Sequence, residues 1–185
     1  VVYIDRRIES DNVSWVASDN YQGAYKLVDH MCKQHKSEIC YLGGLQNIST
    51  SINRLRGYRK ALEDNGIPYR PDLVFQKDYT IASGYELAKN MYAKLNGPPT
   101  SFFTASLTLL DRAMKFVMAK HGHIPNSIKI NTYDDHPFLD YMSVKICSVR
   151  QDSYQIAQVA TGMIFDALAG RPSIQQKIIK PSMIT

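Results

Sequence analysis

An alternation constrains this chain more than any other feature. Short apolar runs of strand length are separated by longer amphipathic stretches. The runs are VVYID (1–5), SWVAS (14–18), EICYLG (38–43), LVFQ (73–76), SFFTA (101–105), SIKINTY (127–133) and ICSVR (146–150). Helical periodicity occupies about 20–35, where Ala24, Leu27, Val28 and Met31 share one face. It returns at about 50–65, 81–96, 106–121 and 152–169. The helices stop at Gly66 with Pro68, at Gly97-Pro98-Pro99, at Gly122 with Pro125, and at Gly170 with Pro172. Strands alternating with helices of this length predict an α/β fold of βαβ units, a doubly wound parallel sheet with helices on both faces. In such sheets ligands bind beyond the carboxyl ends of the strands. Those ends are where function is sought.

The strand ends carry polar, often bidentate side chains. VVYI is followed by Asp5, Arg6 and Arg7. YLGG is followed by a Ser/Thr-rich turn, with Thr50 and Ser51, that leads to Arg54. LVFQ is followed by Lys77, Asp78 and Tyr79, SFFTA by Ser106, INTY by Asp134 and Asp135, and ICSV by Arg150 and Gln151. Guanidinium and carboxylate groups bind paired hydroxyls, and an aromatic face covers the apolar side of a sugar ring. Taken singly, each residue also has an ordinary structural use. Asp135 suits a cap for the segment starting at Pro137, Gln151 a cap for the last helix, and Arg7 a solvated loop charge. Arg54 suits a surface arginine paired with a carboxylate, although a helix start disfavours a cation by roughly 0.3–1 kcal/mol. Ser49, Thr50 and Ser51 suit the N-cap of that helix, with Ile52, Leu55 and Leu62 as its apolar stripe.

Catalytic and metal chemistries find little support. There is no P-loop, GxGxxG or GxSxG pattern, and the five histidines show no ligand spacing. Three cysteines without a CxxC pair predict reduced thiols rather than a disulfide or zinc framework. No apolar run approaches the roughly 18 residues of a membrane span. The 22 basic residues against 17 acidic ones are interspersed, which reads as ordinary solvation with a weak preference for anionic partners. The chain opens at Val1 without an initiator methionine, which reads as a boundary within a longer protein.

Fragments IDR, SDNYQGAYKLVDHM, YLGG, SxxRLRGYRKAL, DYTIASGYE, PPTSFFTAS, IKINTYDDH and SVRQD occur in that order. Together they resemble the effector-binding domain of the lactose/galactose repressor family, over nearly the whole chain. YLGG, YELAKNMYAKLNGPPTSFFTAS and TYDDHPFLDYMS are similar more narrowly to its sucrose and fructose repressors. The resemblance implies a periplasmic-binding-protein-like fold of two lobes, with the N-terminal lobe incomplete here. It implies that 1–18 ends that lobe, that 19–145 forms the C-terminal lobe, and that 146–185 returns to the first lobe with a final crossover strand. It further implies an N-terminal helix-turn-helix domain, absent from this chain, that binds operator DNA as a homodimer in the cytoplasm.

The resemblance also implies a ligand set. The first-lobe aspartate falls on Asp5, with Arg6 beside it. The sugar-clamping arginine falls on Arg54, with Thr50 and Ser51 nearby. The aromatic platform falls on Tyr79, the late aspartate on Asp134 and the cleft glutamine on Gln151. Ser106-Leu107 departs from the family's Asn-Asp, which argues against a galactoside or purine ligand. The implied ligand is fructose or a fructose phosphate such as fructose 1-phosphate, with Arg6 the candidate to distinguish the two; no cofactor, metal or membrane is implied. A secreted sugar-binding protein of a transporter is the alternative, against which the cysteines, the basic balance and the DNYQGA segment speak. An enzyme on a doubly wound sheet lacks a nucleophile, a metal site and a phosphate loop in this sequence.

Overall fold

In a computed structural model of the chain, residues 1–35, 38–171 and 174–185 are described. The expected stop at Pro172 lies outside them. Two sheets form. The smaller has three parallel strands in the order β1 (Val2–Ile4), β2 (Ser14–Ser18) and β8 (Gln176–Ile179), covered by α5 (Ser153–Leu168). The larger has six strands in the order β4 (Val74–Gln76), β3 (Cys40–Gly43), β5 (Ser101–Thr104), β6 (Lys129–Tyr133), β7 (Ile146–Arg150) and β9 (Ser182–Ile184). All its pairings are parallel except β7 with β9.

The larger sheet is buried on both faces, and its strands are correspondingly apolar. Helices α1 (Asn20–Gln34) and α2 (Ser49–Asp64) cover one face around Leu27, Val28, Tyr58 and Leu62. Helices α3 (Ile81–Leu95) and α4 (Leu107–His121) cover the other around Leu87, Met91, Leu110 and Val117. The chain runs from β3 to β4 on one side, then to β5 on the other. The carboxyl ends of β3 and β5 are therefore the switch point, where a doubly wound sheet opens a crevice.

The chain passes between the sheets three times, at Ser18-Asp19, after Arg150, and at Lys180-Pro181. Strand β7, expected with the smaller lobe as the start of 146–185, lies instead inside the larger sheet. It is hydrogen-bonded on both sides and buried along four of its five residues. The change of sheet comes only at Gln151.

All three thiols are free and buried. Burial pushes Cys40 up to about 12 and Cys32 up to about 11, and raises Cys147 as well. The thiolate is the reactive form. Iodoacetamide at pH 8 is therefore expected to leave all three unlabelled within minutes in the folded protein and to label all three after denaturation. Mass spectrometry reads the difference, and fast native labelling would contradict the packing around them.

Candidate functional site

The switch point is where Arg54 lies. It sits in the second turn of α2 and is only 4% exposed, so it is neither a surface arginine nor one held against the dipole of the first turn. Its Nε donates to Asn20 Oδ1 at 2.7 Å, and Nη1 donates to the Ala105 carbonyl at the end of β5. Its Cζ is 3.7 Å from the Tyr133 ring centroid, a desolvated cation–π contact. Asp134 Oδ2 faces Nη1 at 3.7 Å. A buried charge is tolerated only when paired and hydrogen-bonded, and this one is.

Asn20 positions the arginine. It is buried, and its Nδ2 donates to the Ser18 carbonyl at the end of β2. One amide thus ties the crossing out of the smaller sheet to the guanidinium of α2. Asp134 accepts from Gln151 Nε2 at 2.6 Å, while Gln151 Oε1 is buried without a hydrogen-bond partner among the described residues. Asp152, not Gln151, caps α5 by accepting from the Gln155 amide. Gln151 instead bonds to Asp134 across the ends of β6 and β7.

Asp5 and Asp134 have φ of 63° and 73°. The third non-glycine residue with positive φ among the described residues, Asn96, terminates α3 in the usual left-handed manner. The two aspartates end β1 and β6 instead, where such a conformation aims a side chain and suggests a functional position. The Asp5 carboxyl is held above its usual range by burial, with Arg54 opposing and Asp134 reinforcing the shift. Electrostatically, then, the two sheets meet at Asp5, Arg54 and Asp134.

Tyr79 folds over the loop after β3. A Cβ on Gly44 would collide with the Tyr79 ring and with Ser51 Oγ, so glycine is what admits the ring. The Tyr79 and Ser51 hydroxyls are 2.9 Å apart, and Gln76 Nε2 donates to the Gly44 carbonyl at 2.8 Å. Ser51 is therefore engaged by Tyr79 rather than acting as a cap. Helix α2 begins after Ile48 with no side-chain cap. Thr50 is half-buried on the same turn.

Ser106 is the N-cap of α4 and accepts from the Leu109 amide at 3.3 Å, which leaves its proton free to donate. Asp135 caps nothing: it receives Arg150 Nε and Nη2 at 2.8 and 2.7 Å, and His136 Nδ1 caps the following turn. Arg6 is exposed on the loop after β1. Its neighbour Arg7 is not a free loop charge, since its Cζ lies 5.3 Å from the Trp15 ring centroid.

A cavity of about 190 Å³ opens from this cluster between the two sheets, lined by Asp5, Arg7, Trp15, Asn20, Ser49 and Arg56 among others. A second, of about 530 Å³, shares Arg7, Ser49, Asn53 and Arg56 with it. Another, of about 300 Å³, lies at the amino ends of β6 and β7 near Met31, Lys129 and Lys145, away from every residue named above as a candidate. Among the described residues, no group of three or more His, Cys, Asp or Glu is placed to hold a metal ion. No helix among them is long and apolar enough to cross a membrane. The strand ends therefore bring together a guanidinium, two carboxylates, a side-chain amide and an aromatic ring, the side-chain types that bind a polyol.

Two sheets, three crossings and a polar cleft at the strand ends define a class of ligand-binding domain. The chain belongs to the periplasmic binding protein-like domain family, which it matches over residues 28–185. Its homologues are repressors of the lactose/galactose type. The sucrose operon repressor of Klebsiella pneumoniae is 33% identical over 85% of this chain and 47% of its own length. The catabolite repressor/activator of Escherichia coli K12 is 23% identical over 91% of this chain and 49% of its own. The chain thus spans about half the length of these curated relatives. The solved Cra regulator of Pseudomonas putida, in complex with fructose 1-phosphate, superimposes with a TM-score of 0.88 at 21% identity, over 99% of this chain and 67% of its own.

Proposed function

We propose that this chain is the effector-sensing region of a transcriptional repressor that responds to fructose or a fructose phosphate. The ligand lies between the two sheets, and its binding is coupled to release of operator DNA by a further domain of the longer protein. The observation that carries the reading is Arg54: buried, held flat on Tyr133, anchored from both sheets through Asn20 and Ala105, and facing Asp134. Its edge, with the carboxylates of Asp5 and Asp134, suits adjacent hydroxyls. Tyr79 supplies the apolar platform, and Thr50, Ser51, Ser106 and Arg6 border the same strand ends.

The names of the relatives support the substrate class. One is a sucrose operon repressor, and another regulator of the fold was solved with fructose 1-phosphate. Such a regulator acts where the DNA is, in the cytoplasm, and as a homodimer reading a two-fold site. Exposed Ile81 and Tyr141 on the larger lobe are apolar enough to join a dimer contact.

Coupling requires that ligand and operator prefer different arrangements of the two lobes. Ligand at about a hundred times its Kd is expected to stabilise the intact protein by about 2.7 kcal/mol, or about 5–10 °C in Tm for a domain of this size. Thermal melts with fructose, fructose 1-phosphate, fructose 6-phosphate, sucrose and glucose, read beside operator anisotropy, test this. A protein that none of them stabilises, or whose operator complex none of them dissociates, is not this sensor.

A further inference from the structure

We propose that Arg7 and Arg56 form a clasp at the mouth of the cleft for a phosphoryl group carried by the ligand. The inference rests on the sugar-binding reading above and extends it to the ligand's charge. Both arginines line both cleft cavities. Neither makes an ion pair among the described residues. Each is instead laid against an aromatic ring. Arg7 Cζ is 5.3 Å from the centroid of buried Trp15, and Arg56 Cζ is 5.6 Å from that of Tyr21.

Stacking occupies the face of a guanidinium and leaves its in-plane N–H groups for an acceptor. The planar fork matches a phosphate edge bidentately, as a lysine does not. Asn53 Oδ1 fixes one of those groups on Arg56, at 3.3 Å from Nη1. Ser49, the first residue of the uncapped α2, lines both cavities and adds a hydroxyl beside the open helix start.

Three carboxylates line the same cavities, Asp5 and Asp19 the nearer and Glu9 the farther. Asp19 accepts from the Gln22 amide and caps α1, the Asp5 carboxylate is favoured by the positive charges of Arg54 and Arg6, and Glu9 is exposed. The nearer cavity shares Asp5 and Asn20 with the Arg54 cluster. A sugar whose hydroxyls meet Arg54 and Asp134 would thus carry a terminal phosphoryl group outward to the two stacked arginines. The loop after β1 offers Arg6 and Arg7 in succession. Arg7 rather than Arg6 lines this space.

Calorimetric titration of the intact protein and of Arg7→Gln, Arg56→Gln and the double variant, each against fructose and fructose 1-phosphate, tests the clasp. Each single variant is expected to weaken fructose 1-phosphate about 10- to 100-fold and to leave fructose within about threefold. Both side chains are exposed and lose only a surface stacking contact, so Tm should fall by no more than a few degrees. Unchanged affinity for the phosphosugar, or equal losses for both sugars, would overturn the clasp while leaving the sugar site standing. Inorganic phosphate bound by the wild type as tightly as fructose 1-phosphate would also overturn it, as a mere anion site. A wild-type protein that binds neither sugar removes the underlying reading and the clasp with it.

Discussion

Arg54→Ala is expected to cost both ligand and fold. For the ligand, about two charge-assisted hydrogen bonds disappear, and Asp134 loses its facing cation. That amounts to roughly 2–4 kcal/mol, or about 30- to 1,000-fold in affinity for the inducing sugar. For the fold, the sequence places Arg54 off the apolar stripe of its helix and predicts little change. The structure reverses that expectation. Ile52, assigned to the stripe, is 40% exposed, whereas Arg54 is 4% exposed and lies on the buried face with Ser51, Leu55 and Tyr58.

Truncation leaves Asn20 Oδ1 and the Ala105 carbonyl without their donor and removes the group stacked on Tyr133. The unfolding free energy should fall by roughly 2–4 kcal/mol. Arg54→Lys separates the two effects. It keeps the charge but cannot reach Asn20 and Ala105 with one fork, so it should recover less affinity than stability. Urea denaturation and calorimetry on the intact protein measure both. Wild-type stability together with wild-type affinity in Arg54→Ala would reduce the residue to a bystander.

Much of the fold is legible because its signals are local. Glycine stands at or just beyond the end of four of the five α-helices, and the change of period from strand to helix is visible within each segment. Among the described residues, all five α-helices and seven of the nine strands coincide with patterns in the chain. The remaining pair, β8 and β9, lacks such a signal. Their residues are mostly exposed, Pro181 separates them, and QKII and SMI are too short to show alternation. The assignment of β7 to a sheet is equally hidden, since its pairing partners β6 and β9 are identified only by tertiary structure.

The site divides along the same line. That Asp134, Arg54 and Gln151 share a strand-end address follows from topology, which the alternation predicts. That Arg54 is buried does not, because an isolated arginine in an amphipathic helix ordinarily faces water. Its anchors lie far away in sequence: Asn20 by 34 positions and Ala105 by 51. Arg7 reads as a loop charge until Trp15, eight residues on, is seen beneath it. Asn20 offers one hint, since it directly follows the capping Asp19 at a helix start, yet its side chain bonds to Ser18 and Arg54 instead.

The junction of α1 and α2 carries the second large effect. Gly57 lies where the two helices touch. A Cβ there would collide with the Tyr21 carbonyl oxygen and lie 2.8 Å from the Tyr25 amide nitrogen, both backbone atoms that no rotamer change can move. Gly57→Ala is expected to destabilise by about 1–3 kcal/mol through overpacking, even though alanine is about 1 kcal/mol the better helix former. Gly57→Val should exceed it, because a branched side chain enlarges the same clash. The damage should also reach the ligand. Tyr21 adjoins Asn20, so relief of the clash moves the start of α1 away from α2 and lengthens the Asn20–Arg54 bond on which the guanidinium depends. Gly162 in α5 is the control. Among the described residues nothing beyond its own helix lies within 4 Å of a Cβ built there, so Gly162→Ala should stabilise by about 0.5–1 kcal/mol and leave sugar affinity unchanged. Opposite signs of the two alanine substitutions in thermal denaturation, with sugar affinity lost only in Gly57→Ala, are the expected result. A Gly57→Ala protein as stable as wild type would show that the helices part without cost and that their contact does not set the site.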